Sequence, residues 1–180
     1  MPEIEIRPAG ENDLPYLVKI EHSYQSMFVW QMDRTIQDGQ ININFRRTRL
    51  PRTVRVDYAG SRPALNEENW TRHLAVLVAT VAQIPVGFIS LSDQFPSKAV
   101  WITDCAVRED CRRQGIGTTL VLAAQEWGGE HGFRKVIFEM QSKNHPAVQL
   151  ARKLGYEFCG YNDHYFLNQD IALFFSRSLR

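Results

Sequence analysis

The chain is poor in cysteine. Its 180 residues include only Cys105, Cys111 and Cys159, an odd number without paired spacing. That argues against a disulfide framework or a cysteine-based zinc site and suits free thiols in a reducing compartment. No apolar run approaches the roughly 18 residues that a bilayer-crossing helix needs. The opening, MPEIEIRPAGENDLP, is acidic and polar, unlike a secretory signal. Net charge is nearly absent too, at +1, so the whole molecule advertises neither nucleic acid nor a membrane surface. A nucleic-acid module built on Arg46, Arg47, Arg49, Arg52 and Arg55 is disfavoured by that neutrality and by the scarcity of interleaved aromatics. His22, reading as part of a helical surface, and His73, His131 and His164 show no ligand spacing, so no metal is expected. There is no internal repeat and no low-complexity tract. A cytoplasmic setting is the expectation.

What is present is ordinary globular material, 44% hydrophobic and 23% charged, enough for one domain over residues 1–180. Ile4 and Ile6 alternate and predict a first strand ending at Pro8. Glu11, Asn12 and Asp13 offer capping groups, and Leu14, Leu17, Val18 and Glu21 follow at helical spacing, predicting a helix to about Ser26. Ile41, Ile43 and Phe45 alternate with polar residues, as do Val54, Val56 and Tyr58. The RRTRLPRT between them predicts an exposed basic turn joining two strands, suited to an anionic acceptor or partner surface. Further on, 74–81 and 86–91 read as a hairpin about Gln83, Ile84 and Pro85, and 99–107 as a third strand. A helix over 117–131 carries Leu120, Val121, Ala124 and Trp127 on one face. A strand over 135–140, a short helix over 146–154 stopped by Gly155, and strands over 156–161 and 171–176 complete the chain. Strands early and helices inserted late predict a mixed sheet with helices on its faces.

The chemistry concentrates in VREDCRRQGIGT, from Val107 to Thr118. A buried strand ends, a polar loop follows, and Gly115 and Gly117 open an amphipathic helix. Such a turn presents unpaired backbone N–H groups at the positive end of a helix, and glycine lets the backbone approach a ligand closely. Arg112 and Arg113 add charge beside those amides, which together suit a diphosphate. No GxxxxGK[ST] occurs, and the glycines do not form GxGxxG after an N-terminal strand, so neither a Walker loop nor a dinucleotide fold is supported.

The run Arg112-Arg113-Gln114-Gly115-Ile116-Gly117 resembles the R/Q-x-x-G-x-G/A pyrophosphate loop of the GNAT N-acetyltransferase superfamily. The resemblance extends back through ITDCAV (102–107) and forward to NHPAVQLARKLGY (144–156), similar to the family's N-x-x-A-x-x-L-x-x-x-L-G-F block. It covers residues 74–180, and IRPAGENDLP looks like the family's usual opening. The run YNDHYFLNQDIALFF is similar to the streptothricin and ribosomal-protein acetyltransferase branches. The resemblance implies an α/β (α+β) fold: one domain with a mostly antiparallel mixed sheet of about seven strands, helices on both faces and an inserted hairpin arm near 41–58. It further implies a cosubstrate-binding core over about 74–163 and an acceptor-side insertion over about 28–72.

Carried over residue by residue, the amides of Gln114, Gly115, Ile116, Gly117 and Thr118 would hold the diphosphate of acetyl-CoA, with Arg112 and Arg113 beside them. The strand at Cys105, Ala106 and Val107 would pair with the pantetheine amides as an added strand does. Asn144 would bind the pantetheine or adenine portion, cap a helix, or do both. The reaction implied is acyl transfer to a primary amine, with acetyl-CoA as cosubstrate. It needs a base, for which Asp104 is the nearest ionisable group, and a polarising N–H near Val107. The family's usual tyrosine acid is replaced here by Ala151, leaving Tyr165 as the candidate acid and Tyr156 and Tyr161 as others downstream. That replacement keeps open an acyl-CoA-binding sensor without turnover. Cys105 reads as a buried small hydrophobe rather than a nucleophile. The resemblance implies an amine acceptor, either a small molecule or a protein N-terminus or lysine, without specifying which, and a homodimer is compatible with the sequence.

Overall fold

Ile4–Pro8 forms β1, as its alternation predicts, in a computed structural model that describes residues 3–57, 64–93 and 98–179. A tight 3-10 turn (Glu11–Asp13) then runs into a single helical turn, α1 (Leu14–Leu17), with Pro15 where a missing N–H is harmless. The Asp13 carboxylate accepts from the Gly10 amide at 2.8 Å and from the Arg7 guanidinium at 2.7 and 2.8 Å, fixing this entry.

The expected helix to Ser26 is therefore cut short. Its apolar spacing lasts only to Val18, and Tyr24, Phe28, Val29 and Trp30 are β-formers that enter a long strand, β2 (Tyr24–Gln37), antiparallel to β3 (Gln40–Val56). The expected basic turn is also corrected. The chain reverses at Asp38 and Gly39, with Gly39 at φ +76°, an Asp-Gly pair suited to a two-residue hairpin. Arg46, Arg47 and Arg49 instead lie along β3, opposite Gln31, Trp30 and Phe28. The pairing shifts between Ser26 and Phe28, leaving Leu50, Pro51, Arg52 and Thr53 without register partners. Pro51 has no N–H to give a ladder, which accounts for its place at the irregularity. Tyr58 lies outside the described residues.

The remaining strands are β4 (Ala75–Val81), β5 (Ile84–Asp93), β6 (Ala99–Val107), β7 (Lys135–Gln141), β8 (Glu157–Asn162) and β9 (Ala172–Ser178). Two helices interrupt them, α2 (Ile116–Glu130) and α3 (His145–Lys153). The sheet has seven strands in the order β1-β4-β5-β6-β7-β9-β8, all antiparallel except β6 with β7. That one parallel step needs a crossover, which α2 supplies. The β4–β5 turn falls at Ala82 and Gln83, both at positive φ, one residue earlier than the prolyl turn expected.

Alternation on β5 sorts the two faces. Ile89 points under α2 with Leu120, Val121 and Ala124. Phe88 points the other way, to Leu17, Ile20 and Val78. Helical elements thus cover both faces. Gly128 lets α2 lie close to the sheet, since a Cβ there would stand 3.0 Å from both Val100 and Leu179.

The sheet opens between its two parallel strands. β6 and β7 pair only from Ala99–Ile102 against Lys135–Phe138. On the other side of β6 the register slips, Leu91 opposing Ile102 but Ser90 opposing Asp104. The extra residue, Thr103, is a bulge that increases local twist and bends β6 away.

Candidate active site

The opening becomes a cleft walled by Thr103, Asp104 and Cys105 from β6 and by Glu139 and Gln141 from β7, with His22 and Tyr24 reaching in from the start of the arm. At its β6 end lies the glycine loop. Arg113 and Gly115 both adopt left-handed backbone, φ +65° and +90°, and Gly115 caps α2 without any side chain bonding to the helix end. The first helical bond is Thr119 N–H to Gly115 O. Among the described residues, the amides of Gly115, Ile116, Gly117 and Thr118 have no protein acceptor. No atom outside the adjoining chain lies within 4 Å of where a Gly115 Cβ would stand. Unsatisfied donors at the positive end of a 15-residue helix, facing open space, fit a diphosphate.

Arg112 departs from expectation. Its guanidinium turns inward, donating to Val107 O at 2.9 Å, Ser23 O at 2.8 Å and Glu21 O at 2.7 Å. The charge left exposed beside the amides is Arg113. Asn144 caps α3 through its Oδ1, which accepts from Ala147 N–H at 3.1 Å, while lining the cleft. Arg108 N–H donates to Val86 on β5, so by alternation the backbone groups of Cys105 and Val107 face away from β5, toward the gap. Ala106 packs its side chain into the core beside Phe88.

Asp104 is nearly enclosed, with 12% of its side chain exposed, and stands 3.7 Å from His22 Nδ1. Burial pushes its carboxyl up to about 6, against pulls from His22 and the Cys105 amide and with a further push from Glu139. His22 is thus not on a helical surface. It sits in the irregular segment after α1, its ring 5.7 Å from that of Phe88. Nothing local in the sequence marks it, because its partner lies on a distant strand. Burial also pushes the Cys105 thiol up to about 12, which suits a packed thiol and not a nucleophile.

The opposite wall holds Glu139, 6% exposed. Tyr165, in the loop between β8 and β9 rather than on a strand, donates its hydroxyl to Glu139 Oε2 at 3.0 Å. Tyr24, unnoticed in the sequence, donates to Gln141 Oε1 at 2.7 Å. Gln141 and Lys143 in turn donate to Asp170. Ala151 is fully buried, and the Tyr156 hydroxyl accepts from Gln125 at 3.1 Å, burial pushing its phenol up to about 12. Among the described residues no three His, Cys, Asp or Glu side chains converge as a metal site, and no helix is long and apolar enough to cross a membrane.

The sequence pattern of the acetyltransferase (GNAT) family matches residues 44–156. Streptothricin acetyltransferase of Streptomyces lavendulae is 31% identical over 74 residues, 41% of this chain and 39% of that protein. A provisionally named [ribosomal protein bS18]-alanine N-acetyltransferase of Bacillus subtilis (strain 168) is 34% identical over 65 residues, 36% of this chain and 43% of that one. The matched stretches span only about two fifths of these relatives (39% and 43%). A provisionally named streptothricin acetyltransferase from Bacillus anthracis str. Ames, solved in complex with acetyl-CoA, shares the fold over 99% of both chains, with a TM-score of 0.78 and 18% identity.

Proposed function

Because the chain belongs to the GNAT acetyltransferase family, we propose that it transfers the acetyl group of acetyl-CoA to a primary amine, by direct attack with both substrates in the cleft. One observation carries the proposal. A single gap in the sheet has unsatisfied loop amides at one end and, on its wall, a buried carboxylate backed by an imidazole at 3.7 Å.

Acetyl-CoA supplies the acetyl group as a thioester. The amides from Gly115 to Thr118 would bind its diphosphate, and the gap-facing edge of β6 would take its amide-bearing arm. Val107 N–H would polarise the thioester carbonyl. Asp104 accepts the amine proton as the C–N bond forms and the C–S bond breaks. With its carboxyl pushed up to about 6, Asp104 is largely ionised at neutral pH yet basic enough to hold a proton. A thiol's ordinary pKa of roughly 8.5 lets the thiolate leave and take its proton from water. Tyr165 need not supply it, since its own proton is engaged by Glu139.

Two acids in one cleft, Asp104 and Glu139, favour an acceptor that arrives positively charged, such as a small basic molecule, a lysine or a protein N-terminus; its ammonium releases one proton to solvent before the neutral amine attacks and gives the second to Asp104. The test is free-CoA release from acetyl-CoA across a panel of such amines. Amine-dependent release is expected. Tight acetyl-CoA binding with no amine-dependent release from any class would identify a sensor and overturn the proposal.

A further inference from the structure

Arg112 lies in the glycine loop, yet every nitrogen of its guanidinium is spent on the protein. Nε holds Val107 O, while Nη1 and Nη2 hold Ser23 O and Glu21 O. The last two flank His22. Residues 20–23 belong to no helix or strand, and they run from the end of α1 to the start of β2. The His22 ring stands 5.7 Å from that of Phe88, tilted 49° to it, a contact that does not itself fix the backbone. A planar fork with fixed donor directions does set the backbone on either side.

We infer that Arg112 is a positioning residue for the chemistry and not a ligand of the diphosphate: it clamps Glu21 and Ser23 so that the His22 imidazole stands against Asp104. Arg112 thereby ties the donor-binding loop to the proton-accepting carboxylate. The inference rests on the reading of Asp104 as base. The groups acting on Asp104 are His22 from the irregular segment, the Cys105 amide and thiol on β6 itself, and Glu139 from β7, while Ser90 of β5 stands opposite it in the sheet. Of these, His22 and the Cys105 amide favour the carboxylate, and His22 is the one whose flanking backbone Arg112 holds. Letting it drift should make Asp104 harder to ionise.

The experiment compares Arg112→Ala, Arg112→Lys, His22→Gln and their combination with Arg113→Ala, using purified full-length protein. The Arg112→Ala variant should lose about tenfold or more in kcat while its acetyl-CoA affinity by calorimetry stays within about threefold. The acid limb of its kcat/KM profile should move to higher pH. Adding His22→Gln to it should cost little more, because both changes break one linkage. Arg112→Lys, able to hold one carbonyl but not both, should recover part of kcat. Arg113→Ala should instead lose acetyl-CoA affinity. A tenfold loss of acetyl-CoA affinity in Arg112→Ala with kcat and pH profile intact would overturn the inference, as would full additivity with His22→Gln. Asp104→Asn separates the two ideas: wild-type kcat in that variant removes the base and leaves the clamp standing. The clamp is then judged by NMR of the His22 ring, whose contact with Phe88 should weaken in Arg112→Ala. An unchanged contact rejects it whatever the base proves to be.

Discussion

Each wall of the cleft carries one buried carboxylate, and the two are partnered differently. Asp104 on β6 faces the His22 imidazole 3.7 Å away. Glu139 on β7 accepts a hydrogen bond from the Tyr165 hydroxyl at 3.0 Å. The same acid type thus faces an imidazole on one wall and a phenol hydroxyl on the other. The surroundings differ too. The β7 wall is stiffened by Tyr24, Gln141, Asp170 and Lys143 in one hydrogen-bonded chain, whereas the β6 wall is bent by a bulge at Thr103 that re-aims Asp104.

The sharpest break in that comparison is to neutralise each acid in turn. Asp104→Asn should lower kcat by about a hundredfold or more, the usual scale for a lost general base. Glu139→Gln should act mainly on the KM of a cationic acceptor, by about tenfold or less. Equal losses of kcat in steady-state assays would erase the distinction. Next in size is a change that touches neither wall. Among the described residues a Cβ at Gly115 meets no atom beyond the adjoining chain within 4 Å, so Gly115→Leu adds its bulk in open space at the proposed diphosphate site, with some strain from a backbone at φ +90°. Its acetyl-CoA affinity by calorimetry should fall about tenfold or more.

Tyr165→Phe sharpens the β7 side. With the phenol proton given to Glu139, its loss should change kcat by no more than about threefold, and a loss of tenfold with a shifted alkaline limb would make Tyr165 the thiolate's acid. The smallest effect is on stability. Because burial raises the Asp104 carboxyl above its unfolded value, the folded protein binds that proton more tightly than the unfolded chain does. Asp104 therefore destabilises the fold above pH 6, and the penalty fades as pH falls from about 6 to 4. Asp104→Asn should melt several degrees higher than wild type at pH 8, with the gap narrowing toward pH 4. Thermal melts at both pH values check the sign.

The order in which these groups became visible follows from how local their causes are. The glycine loop, the strand 99–107 and the helix after it rest on short-range periodicity and on turns that need glycine, so residues 74–180 read almost residue by residue. The arm did not. The helical spacing of Leu14, Leu17 and Val18 runs for barely two turns, and only pairing with β3 tells the chain after Tyr24 to extend. Asp38 and Gly39 did carry a local hairpin signal, but the arginine-rich run eight residues on drew the turn toward itself. His22, Glu139 and Tyr24 were out of reach for a different reason. Their importance is set by partners far away in sequence, Asp104, Tyr165 and Gln141. Arg112 shows the converse. A loop arginine beside unsatisfied helix-start amides reads as an anion ligand from its neighbours in sequence, while in the structure its nitrogens donate to the carbonyls of Glu21 and Ser23.

The pH dependence of kcat/KM for wild type, divided by that for Asp104→Asn on the same amine, tests the account most directly, because the acceptor's own ionisation cancels in the ratio. If Asp104 takes the amine proton, the ratio climbs through about pH 6, where burial places its carboxyl, and is flat above. A ratio that stays constant from acid to neutral pH would show that the base lies elsewhere in the cleft.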